Sequence, residues 1–454
     1  MDNICLIKKC VAIGIIAFFF SHILTQAVGI NTFYEEHLES NEKSASYQNI
    51  TLPPPGIIDD ILEKTIHRRM SVREFTQEPI SDQDLSTILW HAYGVLDEGK
   101  RTVHLLGDMP AVQIYVVRED GVFSYDPENH SLILYKGGDY TGSVGWQYDA
   151  PLLLGLVWNI TRNSDENLAA AEIGGIGQNV YFVANALNLG TVTTGTYPSP
   201  MERFVGLPDE EVGRIVMYLG HPSYEYDFTN RPMWLSLLPR ISDSSISLTT
   251  AIQERNEATT WEEKITRKEI SQISWAAYDY SNYLDNSEPE INFYNITRHR
   301  TVPSGCGLYS LRVYTVTKSG ISRYIPNIAD TLYGKVQGMR SWPQITFLWR
   351  FVFGDKRATV AAASESFVAS APLILLLVLD YDQLDKLGFP LHEYFIPWAM
   401  YYEAGASIHN VLLEATAWDL SGNVAPITDK ASICNLLRLD MERFEPMFAI
   451  PVGK

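Results

Sequence analysis

The chain is poor in cysteine, in positive charge and in long apolar runs. Four cysteines in 454 residues are too few for a disulfide scaffold. Cys5 and Cys10 lie near the N-terminus, and Cys306 and Cys434 could form one bridge or none. Lys and Arg number 35 against 54 Asp and Glu, a formal net charge of −19. That balance argues against nucleic acid or an anionic membrane surface as the main partner. Only one apolar run, residues 11–30, could just cross a bilayer. The next, residues 371–380, is half as long and reads as a buried strand. His91 and His104 have no metal-ligand spacing around them, so no metal is expected.

What is present is apolar and aromatic. Hydrophobic residues make up 46% and charged residues 20%, which supports a packed protein of two or three domains. Lys8 and Lys9 precede the run at 11–30, and Glu35 and Glu36 follow it. This is the charge order of a cleaved signal peptide or a retained signal anchor, with the rest of the chain exported. Asn49-Ile50-Thr51, Asn159-Ile160-Thr161 and Asn295-Ile296-Thr297 are glycosylation-type sequons, relevant only in a compartment that glycosylates. Residues 31–56 end in Pro53-Pro54-Pro55-Gly56 and read as a linker.

The strongest local cluster is Arg68-Arg69-Met70-Ser71-Val72-Arg73. Arginine forks and a hydroxyl beside a helix start form a cradle for an anion. Helices are expected at 57–67 and 82–93, strands at 111–117, 132–135 and 151–157, a long helix at 168–187 and a strand at 214–219. The second half then repeats the order. Trp90-His91-Ala92-Tyr93 matches Trp275-Ala276-Ala277-Tyr278, Arg101-Thr102-Val103 matches Arg300-Thr301-Val302, and residues 172–179 match residues 403–410. The offset only grows along the chain, as insertions into a duplication require, and the largest growth covers residues 325–360. Two copies of one unit are expected to pack as an internal pseudo-dimer. At the first offset, Arg69, Ser71 and Arg73 fall on Glu254, Asn256 and Ala258, so the second copy lacks the cradle. Conversely, Pro303-Ser304-Gly305 fall on His104, Leu105 and Leu106, so the first copy lacks that turn.

Residues 57–225 resemble the nitroreductase family. The resemblance rests on Arg69-Met70-Ser71-Val72-Arg73, Ala150-Pro151, residues 172–179, Leu189-Gly190-Thr191-Val192 and Tyr218-Leu219-Gly220-His221-Pro222. Residues 250–454 look like a divergent second copy, and residues 303–309 are similar to a turn of the SagB-type dehydrogenase branch. The resemblance implies an α+β fold in which a central sheet is flanked by helices. It divides the chain into a leader at 1–30, a linker at 31–56, copy one at 57–230, a linker at 231–250 and copy two at 251–454. It implies FMN between the copies. Arg69, Ser71, Arg73 and Arg231 would face its phosphate and ribityl end, and the backbone at Gly195 and Thr196 its ring. Pro303, Ser304 and Gly305 would reach in from the second copy. Two family departures are Met70, in place of a polar residue, and Asn188, where glycine is common.

One FMN per chain follows, because the second pseudo-symmetric site would lack both contributions. The implied activity is an exported oxidoreductase passing two electrons between a small molecule or peptide and an unidentified donor or acceptor. As an internal pseudo-dimer it could be monomeric. No Lys-Tyr dipeptide occurs, which argues against azoline oxidation. A catalytic base is not assigned. The alternative reading is a non-catalytic binding protein on a degenerate copy of the fold.

Overall fold

The computed structural model describes residues 49–195, 198–224, 228–229, 235–284, 298–326, 345–382 and 396–454. The 11–30 leader, Thr196, Arg231 and Asn295 lie outside these residues. Copy one runs Ile50–Thr51 (β1), Leu62–Arg68 (α1), Asp82–Tyr93 (α2), Val112–Arg118 (β2), Gly121–Asp126 (β3), Ser131–Gly137 (β4), Leu152–Asn159 (β5), Glu166–Ala186 (α3), Gly190–Thr194 (β6) and Glu211–Gly220 (β7). Copy two runs Leu248–Gln253 (α4), Arg267–Tyr278 (α5), Leu311–Thr317 (β8), Gly320–Ile325 (β9), Ile345–Phe353 (β10), Leu373–Asp380 (β11), Ile396–Ala417 (α6), Ser421–Gly422 (β12) and Phe444–Gly453 (β13).

Each copy builds one sheet with its most apolar strand inside. Sheet one has the order β1-β4-β3-β2-β5-β7-β6, antiparallel throughout. Sheet two repeats it as β10-β9-β8-β11-β13-β12, with a short Leu235–Ser236 strand parallel to β10 at the outer edge. Every residue of β5 and of β11 is buried, as the unbroken apolar runs require. This is the expected α+β architecture in two copies.

The copies meet along α3 and α6. Both helices are apolar on nearly all faces, which suits a helix covered on every side. Residues 169–184 of α3 are all buried. The contact is backbone to backbone. A Cβ built on Gly174 would stand 2.0 Å from the Tyr402 carbonyl oxygen, and one on Gly405 would stand 1.8 Å from that of Ala171. The two contacts are pseudo-symmetric, because 174 and 171 fall on 405 and 402 at the repeat offset. The same relation links the interface hydrogen bonds. Asn179 Nδ2 donates to His91 O at 2.7 Å, and Asn410 Nδ2 donates to Ala276 O at 3.0 Å. Gln178 Nε2 reaches Asn410 Oδ1 at 2.8 Å, while His409 Nε2 meets Asn179 Oδ1 at 2.7 Å. Gln178 and Asn179 are thus interface residues.

Three details differ from the sequence reading. The helix expected from residue 57 begins at Leu62. Its first turn is fixed by an exchange across the pseudo-twofold, Leu62 N–H to Ile246 O at 3.1 Å and Leu248 N–H to Asp60 O at 2.9 Å. Helix α4 is therefore the counterpart of α1, and it begins within the stretch read as a linker. Residues 345–353, read as part of an insertion, form β10, which pairs with β9 as β4 pairs with β3. Asn159 of the second sequon is buried, and its amide oxygen takes bonds from Thr161 and Arg162 in its own turn.

Cys434 is a buried free thiol. Asn188, in the common glycine position, adopts φ 57° just after α3, and Asp419 adopts φ 53° just after α6. Asn and Asp are the non-glycine residues that tolerate this conformation best. Among the described residues no helix is long and apolar enough to cross a membrane.

Gly405→Ala tests the helix contact. The added methyl must push the Ala171 carbonyl away, so we expect a loss of at least about 2 kcal/mol in urea unfolding. A change under about 0.5 kcal/mol would show that the helices are not in backbone contact.

Candidate functional site

Helix α1 ends at Arg68, and the chain continues extended across the edge of β6. Val72 N–H donates to Thr191 O at 2.9 Å and seats the segment there. Met70 and Val72 are buried, which explains an apolar residue inside the arginine cluster. Arg69 is 2% exposed and points toward copy two. Its Nε donates to Arg300 O at 2.9 Å, and its guanidinium lies 5.1 Å from the centre of the Tyr181 ring. Its Nη1 is buried and has no hydrogen-bond partner among the described residues. Buried cations of this kind are normally paired.

Ser71 is held by Tyr181, a residue of α3 that the motif reading did not single out. The two hydroxyl oxygens are 3.0 Å apart, and Tyr181 also accepts from Thr193 N–H at 3.0 Å. Either hydroxyl of the Ser71–Tyr181 pair can be the donor. When Tyr181 donates, the Ser71 proton is available to a ligand. Arg73 is half-buried, with Nη1 3.4 Å from Ser71 O.

The Pro303-Ser304-Gly305 turn follows Arg300 by three residues, so the bond from Arg69 brings turn and cradle together. Ser304 Oγ donates to Glu403 and accepts from Tyr309 N–H at 2.9 Å. Its proton is committed inward, leaving an acceptor lone pair on the open side. A Cβ on Gly305 would meet nothing within 4 Å. Tyr309 adopts φ 49°, a strained conformation for an aromatic residue. Burial raises its phenol pKa, while the nearby charges of Arg69, Arg300 and Arg73 work the other way. Arg300 sits in a box of Tyr278, Tyr280 and Tyr309, 4.5 to 5.0 Å from each ring centre. It is a further cation of this site, and it had served the sequence reading only as a repeat marker.

Gly195 closes another side. A Cβ there would stand 2.6 Å from Trp398 Cη2, so only glycine lets the β6 end lie against the indole of α6. Thr193 Oγ1 and Tyr402 OH, 3.0 Å apart, join the same strand to the same helix. Thr196 and Arg231 lie outside the described residues.

The opposite pseudo-site is built differently, and the residue pairing needs a correction of one position. Ala258 N–H donates to Gly422 O at 3.4 Å as Val72 N–H does to Thr191 O. Arg69, Ser71 and Arg73 therefore correspond to Arg255, Glu257 and Thr259, not to Glu254, Asn256 and Ala258. Arg255 Nη2 donates to Arg101 O at 2.8 Å, repeating the bond from Arg69 to Arg300. The first arginine is retained, but its free face is met from within. Glu257 lies 2.6 Å from Arg255 Nη1 and 2.9 Å from His104 Nδ1. Burial opposes the Glu257 charge, yet the adjacent His104 imidazole and the Arg255 guanidinium hold its pKa at about 2. A carboxylate of the chain itself fills the anion position in this half.

These residues fit an anionic cofactor on one side only. On that side a buried arginine nitrogen, a serine hydroxyl and a second arginine converge. On the other side the equivalent cation is neutralised. Among the described residues no cluster of His, Cys, Asp or Glu could hold a metal ion.

Comparison with known proteins gives the family. The nitroreductase family model matches residues 66–221 and again residues 262–454. The chain belongs to the nitroreductase family, and the two matched segments are consistent with a tandem duplication. A candidate nitroreductase of Methanocaldococcus jannaschii is 34% identical over 163 residues, covering 32% of this chain and 82% of that protein. The structure of a candidate nitroreductase from Anabaena variabilis shares the fold over 94% of this chain and 99% of its own, at 14% identity and a TM-score of 0.60. A candidate nitroreductase from Desulfovibrio desulfuricans, solved in complex with FMN, covers 38% of this chain and 91% of its own, at 17% identity and a TM-score of 0.27.

One buried carboxyl beneath the sites titrates in an accessible range. Glu403 accepts from Tyr278 and Ser304, and its counterpart Glu172 accepts from Tyr93 and from Ala111 N–H. Leu105 stands in copy one where Ser304 stands in copy two, so Glu172 gains no hydroxyl donor there. Burial lifts the Glu172 pKa from 4.5 to about 7, against the bonds from Tyr93 and Ala111. The folded state therefore holds a proton that the unfolded chain releases. This contribution is fully present below pH 4.5 and is lost as pH rises to about 7. Wild type minus Glu172→Gln should lose up to about 3 kcal/mol of unfolding free energy across that window. A difference that stays flat with pH would contradict the assignment.

Proposed function

We propose that the chain is a two-electron oxidoreductase holding one FMN between its copies, in the manner of SagB-type members of its family. The observation that carries this reading is the contrast between two equivalent arginines. Arg69 has no carboxylate partner among the described residues and its Nη1 stays without an acceptor, whereas the equivalent Nη1 of Arg255 meets Glu257 at 2.6 Å. Arg69, Ser71 and Arg73 would hold the phosphate end, with Ser71 a donor when Tyr181 donates to it. Pro303, Ser304 and Gly305 would wall the ring from copy two, and the backbone at Gly195 would approach it from copy one. The flavin supplies the two-electron chemistry when bound. The chain supplies position, dryness and fixed hydrogen-bond donors. A small molecule or peptide is the proposed electron source, with a quinone or oxygen as acceptor, in an extracytoplasmic setting.

Paired substitutions test the asymmetry. Arg69→Ala should weaken FMN binding at least about tenfold in a flavin fluorescence titration, while Arg255→Ala should change it less than about twofold. Tyr181→Phe should give a loss between the two. Equal effects of Arg69→Ala and Arg255→Ala would overturn the one-sided reading. Loss of bound flavin without loss of quinone reduction would overturn the flavin's role in the activity.

A further inference from the structure

The duplication offers an internal control for every buried position, and one place differs sharply between the copies. In copy one, Val116 and Phe123 belong to the core and Leu134 packs against it. Val116 pairs with Phe123 across β2 and β3, and Phe123 pairs with Leu134 across β3 and β4. Phe123 is 2% exposed, and Arg118 caps its ring at 5.4 Å. The same registers in copy two join Thr315 to Ser322 and Ser322 to Arg350. Two hydroxyl residues and a cation therefore replace a three-residue apolar core.

The space is a cavity of about 830 Å³. Its wall carries Ile265, Ile270, Leu238 and Leu348, and its mouth carries Arg267, Lys318, Arg350 and Arg357. Arg357 is held by Asp355 and Glu263, Lys318 lies 3.2 Å from Glu263, and Arg267 donates to Leu237 O. Arg350 is exposed, and its side chain has no ion pair or hydrogen bond among the described residues. Thr315 and Ser322 stay buried, 2% and 5% exposed, at the floor of a cavity that opens to solvent, where the other half of the same chain has apolar side chains. A local excess of positive charge is also notable in a chain of net charge −19. Rules of packing are relaxed most often where a site is needed, and this volume is that of a metabolite pocket.

We infer that copy two carries a binding site for a small organic anion with an apolar body, its anionic head at Arg350 and its body over Thr315 and Ser322. The site is separate from the one between the copies. Leu311, at one end of β8, lies by Tyr278 and Glu403, and Thr317, at the other end, lines this cavity. Six residue steps of strand put about 20 Å between those ends. The inference does not depend on what the first site binds.

The test is calorimetric titration of the full chain with decanoate, anilinonaphthalene sulfonate and, as a neutral control, decanol. Saturable binding of at least one anion is expected, with decanol at least about tenfold weaker than decanoate. Arg350→Leu, a surface change that leaves folding intact, should weaken the anion at least about tenfold. Ser322→Phe, which restores the copy-one residue, should abolish binding. No saturable binding of either anion below about 1 mM would overturn the proposal. So would equal affinity for decanoate and decanol, or binding that survives both substitutions.

Discussion

The contact on which the molecule depends is the meeting of α3 and α6 at Gly174 and Gly405. A long helix that is apolar on every face must be covered on every face. Here each helix covers the other, at a separation that no side chain beyond glycine allows. The interface polar groups then fall into fixed reciprocal bonds between Gln178, Asn179, His409 and Asn410. Helix α1 and its counterpart α4 are drawn together over the same axis by their exchanged backbone bonds. The arginine segment that follows α1 is thereby placed against Arg300 of copy two, and the one that follows α4 against Arg101 of copy one. A close helix contact in the core decides which residues can share a site at its rim.

Within that frame the copies have diverged in complementary ways. Gly174 with Gly405 and Asn179 with Asn410 are kept at the interface, and each copy keeps its Tyr–Glu pair, Tyr93 with Glu172 and Tyr278 with Glu403. At the two rim sites the first arginine is kept, while Ser71 and Arg73 are replaced by Glu257 and Thr259. Glu257 supplies to Arg255 the negative charge that Arg69 does not receive from the described chain. A symmetric dimer cannot differentiate its two sites in this way, because each substitution would appear twice. Fusion removes that constraint. It also leaves copy two able to carry Thr315, Ser322 and Arg350 where copy one needs Val116, Phe123 and Leu134 for packing.

Much of this was legible in the sequence, and what was missed has definite physical causes. The repeat, the α+β class, the buried strand at Leu373–Asp380 and the long glycine-bearing helices follow from apolar patterning and matched motifs. The cradle and the turn could be read because arginine, serine, proline and glycine are chemically pointed residues. The one-residue slip that hid Arg255 arose because the offset was fixed on α2, while one residue of loop length separates the copies between α1 and α2. Pairing Val72 with Ala258 through their backbone bonds removes it. Tyr181 and Arg300 were passed over because their roles depend on which neighbours the fold supplies, and the cavity at Ser322 is visible only through strand register. The reading of residues 325–360 as a single insertion failed because the aromatic sequence of β10 shares no motif with its counterpart β4.

The central claim is that the chain builds one complete cofactor site from two unlike halves. The most direct measurement is the amount of FMN bound at saturation per chain, from flavin absorbance against protein concentration after dialysis. One FMN per chain is the predicted result. Two per chain would mean that Glu257 does not close the second site, and none after reconstitution would mean that Arg69, Ser71 and the Pro303 turn do not form a flavin site at all.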